Sequence, residues 1–541
     1  MLRDVDQLTA RTFDLLVVGG GIYGLAIARD AATRGLAVAL IERDDFGSGS
    51  SFNHLRTIHG GLRYLQTLDI ARARESIRER RTLARIAPQA LQPTAFAVPL
   101  TRSLTKGRLA ARVGLLLDRF LARGRNADVA PSLHLPAGRV ISRADAIARF
   151  PGMQHQGLTG AAVWYDYLTT ESDRLTFSWA IAAAEAGAVL ANHVQAAEPI
   201  LEGRRVVGVR AHDRPTAAAI TIRATVTVNA SGAGTERLLA PIGLSAGGPL
   251  LKAMNLVTRR DAGTEAFAAR SGSGRHLILV PWRGRALFGT WESGRLCSPD
   301  EAGVPGVNDE DVASFIAEIN QAFPALDLTR ADVTLVHRGL VPAVVGPDGD
   351  VTLEAHERIR DHATEGVEGL VSVAGTKYTT ARAVAERVTD QLLGKLQRPG
   401  APCRTTSALP GGIAGDPEDT IAGARRQYDA VLPSDTLPHL VAAYGSRYEQ
   451  VAALAAERPE WRAKISEASP VIGAQIVWAV RHEMAITLAD AVLRRTPLGA
   501  LGYPGDAAVE RAAAIAGAEL AWSADRTGAE IDALKAFYKS G

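Results

Sequence analysis

Cysteine is almost absent: Cys297 and Cys403 are the only two in 541 residues. So few thiols exclude a disulfide-built scaffold and fit a reducing, cytoplasmic compartment. No Cys/His cluster has zinc-ligand spacing, so no metal site is expected. Net charge is small at +3, which gives nucleic-acid binding no support. No apolar run approaches the roughly 20 residues of a membrane-spanning helix, so any membrane contact has to be peripheral. The first residues carry Arg3, Asp4, Asp6 and Arg11 and no apolar core, unlike a signal peptide. Internal repeats and low-complexity tracts are missing too. Hydrophobic residues at 47% and charged residues at 22% describe a folded globular chain. It is too long for a single core.

The segment order predicts an α/β protein. Phe13 to Val18 reads as a buried strand, Leu25 to Thr33 as a helix and Leu36 to Ile41 as a second strand. That is a βαβ unit of a parallel sheet. Further strands are expected at Val194 to Arg210, Ala219 to Val228, Leu277 to Val280, Ala286 to Thr290 and Leu370 to Val373. Helices are expected at Ala71 to Ile86, Leu104 to Arg125 and Thr379 to Leu396. Pro, Gly and Ser concentrate around residues 397–416, which reads as a linker, and the remainder reads as helix.

Between the first strand and its helix stands Gly19-Gly20-Gly21-Ile22-Tyr23-Gly24. The spacing is that of a dinucleotide loop. Gly19 permits the tight turn, Gly21 lets backbone approach a pyrophosphate, and Gly24 lets helix and strand pack closely. The helix N-terminus offers N–H groups to the phosphates. Glu42, with Arg43 beside it, ends the second strand, where a carboxylate accepts hydrogen bonds from the ribose hydroxyls. The same carboxylate would repel a 2′-phosphate.

Three later segments favour FAD over NAD. The strand from Thr225 runs into a small-residue loop containing Gly232, where backbone can come close to a cofactor. Val194 lies at a strand edge whose backbone could pair with adenine. Leu370 to Thr380 is a strand, a glycine turn at Gly375 and a helix start holding Lys377 and Thr379. That helix start could point its dipole at the flavin pyrimidine ring and stabilise the reduced flavin.

These residues resemble the FAD-dependent glycerol-3-phosphate dehydrogenases. The glycine loop, Ser50-Ser51 and His59-Gly60-Gly61-Leu62-Arg63-Tyr64 resemble that family's N-terminal signature. Gly375-Thr376-Lys377-Tyr378-Thr379-Thr380 resembles its second flavin motif, and Val480 to Thr496 its C-terminal domain. The resemblance implies an FAD-binding Rossmann-like domain with an inserted mixed-sheet substrate domain and a helical C-terminal domain. It divides the chain into an oxidoreductase region, 1–400, and a helical domain, 401–541. Cofactor segments are expected near 13–95, 145–245 and 345–396. It also implies oxidation of a small phosphorylated polyol, above all sn-glycerol 3-phosphate, by hydride transfer to flavin N5, with electrons passing to a quinone. Arg63, Tyr64 and Lys377 are then the cationic end of the substrate pocket. A homo-oligomer and a position on the inner face of the cytoplasmic membrane are compatible with it.

Two positions depart from the family pattern. Val341 in Gly339-Leu340-Val341-Pro342 replaces an arginine, and Asn255 replaces a histidine. Trp291-Glu292 also stands where Thr-Asp is frequent. Arg338 could reach toward the vacated space, and His337 is a candidate base. The departures leave room for another phosphorylated polyol, a hydroxy acid or an amine as substrate, for O₂ as acceptor, or for a flavin-binding protein without catalysis. Leu109, Val113, Leu116, Leu117, Phe120 and Leu121 form one apolar helical stripe flanked by Arg108, Arg112, Arg119 and Arg123. Such a helix either packs on its own domain or lies in a membrane surface.

The glycine loop yields the first prediction. Gly21→Val is expected to abolish the visible flavin absorbance of the purified protein, because a side chain there occupies the pyrophosphate's space. A fully yellow Gly21→Val protein would contradict this assignment.

Overall fold

The structure is a computed structural model. It describes residues 1–103, 107–150, 157–245, 248–272, 274–297, 306–398 and 400–539, apart from the side chains of residues 63 and 66. The central strand, Phe13–Val18, pairs in parallel with Val38–Ile41 on one side and Ala218–Asn229 on the other. The sheet extends to Val189–Ala191 at one edge and through Leu370–Ala374 to Arg358–Asp361 at the other. Leu15 and Val17 face a core shared with the helices Ile22–Thr33, Ser172–Glu185 and Ala381–Lys395. Leu16 and Val18 face the second core, with Val194, Val209 and Ala211. Side chains alternate along a strand, so a strand covered on both faces is apolar throughout.

The expected strand at Val194 to Arg210 is two strands, Val194–Glu202 and Arg205–Asp213, joined as a hairpin that continues antiparallel into Ala218–Asn229. The expected helix from Thr379 begins as a short 3₁₀ turn, Tyr378–Thr380, before Ala381–Lys395. The basic helix is shorter than expected, Arg108–Leu121.

A second, mixed sheet carries the inserted segments. Its long antiparallel strands Leu250–Thr258, Arg285–Leu296 and Val333–Val345 lie side by side, and Leu91–Leu100 and Gly160–Thr169 extend it. One face packs Met254, Leu256 and Phe288 against Phe315 of the helix Asp309–Ala322. The opposite face turns Asn255 and His337 toward residues 53–56.

Helices begin again at Pro417 and run to Lys539. Buried ion pairs fasten them to the loop after Val38–Ile41 and to the helix Ser172–Glu185, beside the first sheet. Arg495 grips Asp45 with both terminal nitrogens, at 2.5 and 2.8 Å. Arg174 grips Glu483 in the same way, at 2.6 and 2.8 Å. Removing one partner of such a pair costs about 3–5 kcal/mol, because the other charge is left desolvated. His193 Nε2 lies 3.0 Å from Asp490. Burial opposes the imidazolium, but the hydrogen bond to Asp490 and its charge outweigh burial and raise the His193 pKa. Burial likewise opposes the Asp490 carboxylate, and the His193 bond and charge outweigh it, so that pKa is lowered.

The pair's contribution to stability is therefore fully present between about pH 4 and 6.5. It fades as pH rises through the raised imidazole pKa, and again as Asp490 protonates in acid. Compared with a His193→Asn variant, the parent should show its largest advantage in urea midpoint near pH 5 and little advantage at about pH 9. Equal differences at both would remove the ion pair from the account.

Candidate functional site

The glycine loop is built by contact. Gly19 has φ +110°, and a Cβ there would lie 2.6 Å from the Ala230 carbonyl oxygen. A Cβ on Gly24 would overlap the Gly19 carbonyl. Gly21 differs: a Cβ there would meet only Ser51 Oγ, at 3.4 Å. The protein itself does not need glycine at that position; a ligand above the loop does. Ser51 Oγ accepts from the Ile22 amide at 2.9 Å. Glu42 accepts from the Gly20 amide at 2.6 Å and the Asp44 amide at 2.9 Å. Burial raises its pKa, and those two bonds oppose the rise. Arg43 is exposed and pairs with Asp44 at 3.1 Å. The Val194 amide, expected to face adenine, donates instead to the Glu42 carbonyl at 2.8 Å. Gly232, at φ +57°, opens the short turn after Asn229, with free space where a Cβ would stand.

The second motif meets the first through Tyr23. Its hydroxyl donates to the Lys377 carbonyl at 3.0 Å. The same hydroxyl fills the place of a Cβ on Gly375. The Lys377 ammonium donates to Ser76 Oγ and stands 4.4 Å from the centre of the Tyr64 ring. The Arg72 guanidinium stands 4.1 Å from the same ring. Thr379 Oγ1 is buried without a hydrogen-bond partner. Gly60 donates to Asp166 at 2.7 Å, and a Cβ on it would lie 2.5 Å from Arg80. Gly61 takes φ +78° with the Tyr64 ring against it. The His59 ring centre is 6.0 Å from that of Tyr64. Arg63 lies on the turn Leu62–Thr67, and its side chain falls outside the described residues.

The third wall is the substrate sheet. Ser50 Oγ donates to the Leu340 carbonyl at 3.2 Å. Asn255 pairs across the ladder with His337, and Leu251 with Val341, so Asn255, His337 and Val341 share one face. Asn255 Nδ2 donates to the Asn53 carbonyl at 2.8 Å, while its Oδ1 is buried without a partner. His337 is fully buried, 3.3 Å from Arg56 and edge-on to Phe52 and Trp282. Burial, then the nearby Arg56 charge, hold its pKa well below the usual value, so it is a neutral ring beside a buried guanidinium. Arg338 needs a correction. It sits opposite Met254, on the face turned away from Asn255 and Val341, so it does not reach the space beside Val341.

Sequence reading missed Asn53, His54, Arg56, Arg72 and Ser76. His54 stacks on Tyr378 at 4.7 Å and contacts Ser172 Oγ at 2.6 Å, which fixes the face of the second turn. The available signal was position: three of these five lie between Ser51 and His59, inside one motif.

An open glycine, a helix N-terminus, a ribose-side carboxylate and an unpartnered threonine in a second helix-start turn fit FAD. The fold and site define a flavin-dependent oxidoreductase. Residues 14–391 match the FAD dependent oxidoreductase family, and residues 403–527 match the C-terminal domain of alpha-glycerophosphate oxidase. The chain is 31% identical to a glycerol-3-phosphate dehydrogenase of Synechocystis sp., over 92% of this chain and 91% of that one. It is also 31% identical to one of Mycobacterium leprae, over 97% and 88%. The crystal structure of the Bacillus halodurans glycerol-3-phosphate dehydrogenase complexed with FAD superposes with TM-score 0.77 at 25% identity, covering 99% of this chain and 96% of that one. The chain belongs to the family of FAD-dependent glycerol-3-phosphate dehydrogenases.

Proposed function

We propose that the protein oxidises sn-glycerol 3-phosphate to dihydroxyacetone phosphate and passes the electrons to a quinone. The observation that carries this reading is the convergence of Lys377 and Arg72 on the Tyr64 ring, directly beside the flavin turn. Such an end suits a phosphate dianion, and the named activity of the relatives agrees. Bound FAD would accept the hydride at N5. Lys377, Tyr64 and Arg63 hold the phosphate, with Arg63 making paired, charge-assisted bonds. Asn255 Oδ1 is the unpartnered acceptor on the substrate-sheet face and orients a substrate hydroxyl. His337, sealed against Arg56, stays out of proton transfer. Val341 and Asn255 favour a second reading, in which the same site oxidises a different phosphorylated polyol.

We further propose a peripheral membrane position. On the helix Arg108–Leu121 the stripe is exposed: Leu109 76%, Val113 59%, Leu116 65% and Phe120 57%. Leu117 and Leu121, expected in that stripe, pack inward beside Tyr64 and Leu65. The exposed face thus lies directly behind the substrate end, with Arg112, Arg119 and Arg123 exposed around it. Among the described residues no helix is long and apolar enough to cross a membrane.

Two measurements check these readings. Anaerobic sn-glycerol 3-phosphate should bleach the flavin, and Arg63→Ala should raise KM roughly tenfold or more while FAD content holds. Bleaching by another phosphorylated polyol alone would select the second reading, and bleaching only by amines or hydroxy acids would reject both. The parent should sediment with anionic vesicles and be released by salt. Leu116→Glu with Phe120→Glu should abolish sedimentation without loss of flavin. Unchanged sedimentation would exclude this face.

A further inference from the structure

A cleft of about 700 Å³ opens beside the flavin turn, with Lys377 and Tyr23 in its wall. The helix Ile70–Ile86 lines one side with Arg72, Arg74 and Glu75. His356, Glu357 and Arg387 line the other. The acidic groups of this cleft are already engaged. Glu75 and Glu357 are both held by Arg387. Asp69, a third lining residue, caps the helix by accepting from the Arg72 amide at 3.0 Å and lies 3.5 Å from His356.

Arg72 and Arg74 form no ion pair among the described residues. Arg72 instead stands against the Tyr64 ring, which also carries the Lys377 ammonium. Two cations on one ring repel each other, and a cation–π contact repays only about 0.5–2 kcal/mol. The crowding is relieved when an anion enters between the cleft and the ring. Arg74, two residues along the same helix, is exposed in the cleft wall. Arg74 and Arg72 thus place two cations in the cleft wall, and Lys377 lies in the same wall.

We propose that this cleft is an outer anion site that loads a phosphate monoester into the catalytic pocket. It captures the dianionic end of the substrate at Arg74 and Arg72 and delivers it to Lys377 and Tyr64. The proposal rests on the reading of the substrate as a phosphate monoester. Its physical basis is focusing: Arg72, Arg74, Arg78, Lys377 and Arg387 outnumber the carboxylates of Asp69, Glu75 and Glu357 in the lining, and a cleft with an excess of one charge raises the local concentration of the opposite ion and its association rate, by about 10- to 1,000-fold at low salt.

The test uses the FAD-loaded full chain in anaerobic stopped flow. The second-order rate constant for flavin reduction by sn-glycerol 3-phosphate should fall steeply as KCl is raised, since salt screens exposed charges. In Arg74→Glu that constant should drop about tenfold or more at low salt, and its salt dependence should flatten. Arg74→Gln should fall between the two. FAD content and the limiting rate constant at saturating substrate should hold, so that the loss appears in KM. Inorganic phosphate should compete with substrate in the parent and compete more weakly in Arg74→Glu. If the parent is reduced by the substrate but Arg74→Glu has the same rate constant and salt slope, the loading site is wrong and the substrate reading stands. If no phosphate monoester reduces the parent, both fall. A uniform loss of FAD in Arg74→Glu and Arg74→Gln would mark a structural residue and also overturn the proposal.

Discussion

Between Gly19 and Ala230 there is no room for a β-carbon. That close approach joins the ends of two parallel strands, and the site grows from it. Because Gly19 turns there, the helix Ile22–Thr33 starts with its amides directed outward and Tyr23 on its first turn. Because Gly24 lies on Gly19, the helix stays close enough for the Tyr23 hydroxyl to reach the Lys377 carbonyl. One phenol thereby connects the pyrophosphate side of the cofactor site to the flavin side.

The same economy of space explains the second signature. Gly60 and Gly61 are glycines because Arg80 and Tyr64 occupy the positions of their β-carbons. Arg80 in turn pairs with Asp166 on the strand Gly160–Thr169 of the substrate sheet, so the signature is held between that strand and the helix Ile70–Ile86. The Tyr64 ring is then held where Lys377 and Arg72 meet it. A cationic end assembled from three separate segments needs this rigidity, since charge placed an ångström away gives up much of its selectivity for a transition state.

The helical C-terminal part contributes to the same frame from outside. Arg495 and Glu483 reach buried charges in the loop after the strand Val38–Ile41 and on the helix Ser172–Glu185. Arg494 lies 3.8 Å over Phe52, inside the segment that leads to the second signature. Those contacts tie the helices to the cofactor region, whereas the helix Arg108–Leu121 turns an apolar stripe outward. The two amphipathic regions are therefore used in opposite ways, one buried and one open.

The amino-acid sequence alone determined the cofactor half. Gly19, Gly21, Gly24, Glu42 and the Gly375 turn act through local backbone geometry, and local geometry is written in consecutive residues. The parallel strands were legible for the same reason, because burial on both faces leaves an unbroken apolar run. The split of Val194 to Arg210 into a hairpin turns on Gly203 at φ +61°, and that one glycine within a continuous strand-like run was the only local sign of it. Which side of the substrate sheet each residue faces was decided only by tertiary register. A ladder that sets Asn255 opposite His337 puts Arg338 on the other face, with Met254, and a shift of one residue would have reversed both. Arg72, Ser76 and Arg56 likewise gained their places from elements far apart in the chain. Long-range packing brings such groups together, and no local pattern records it.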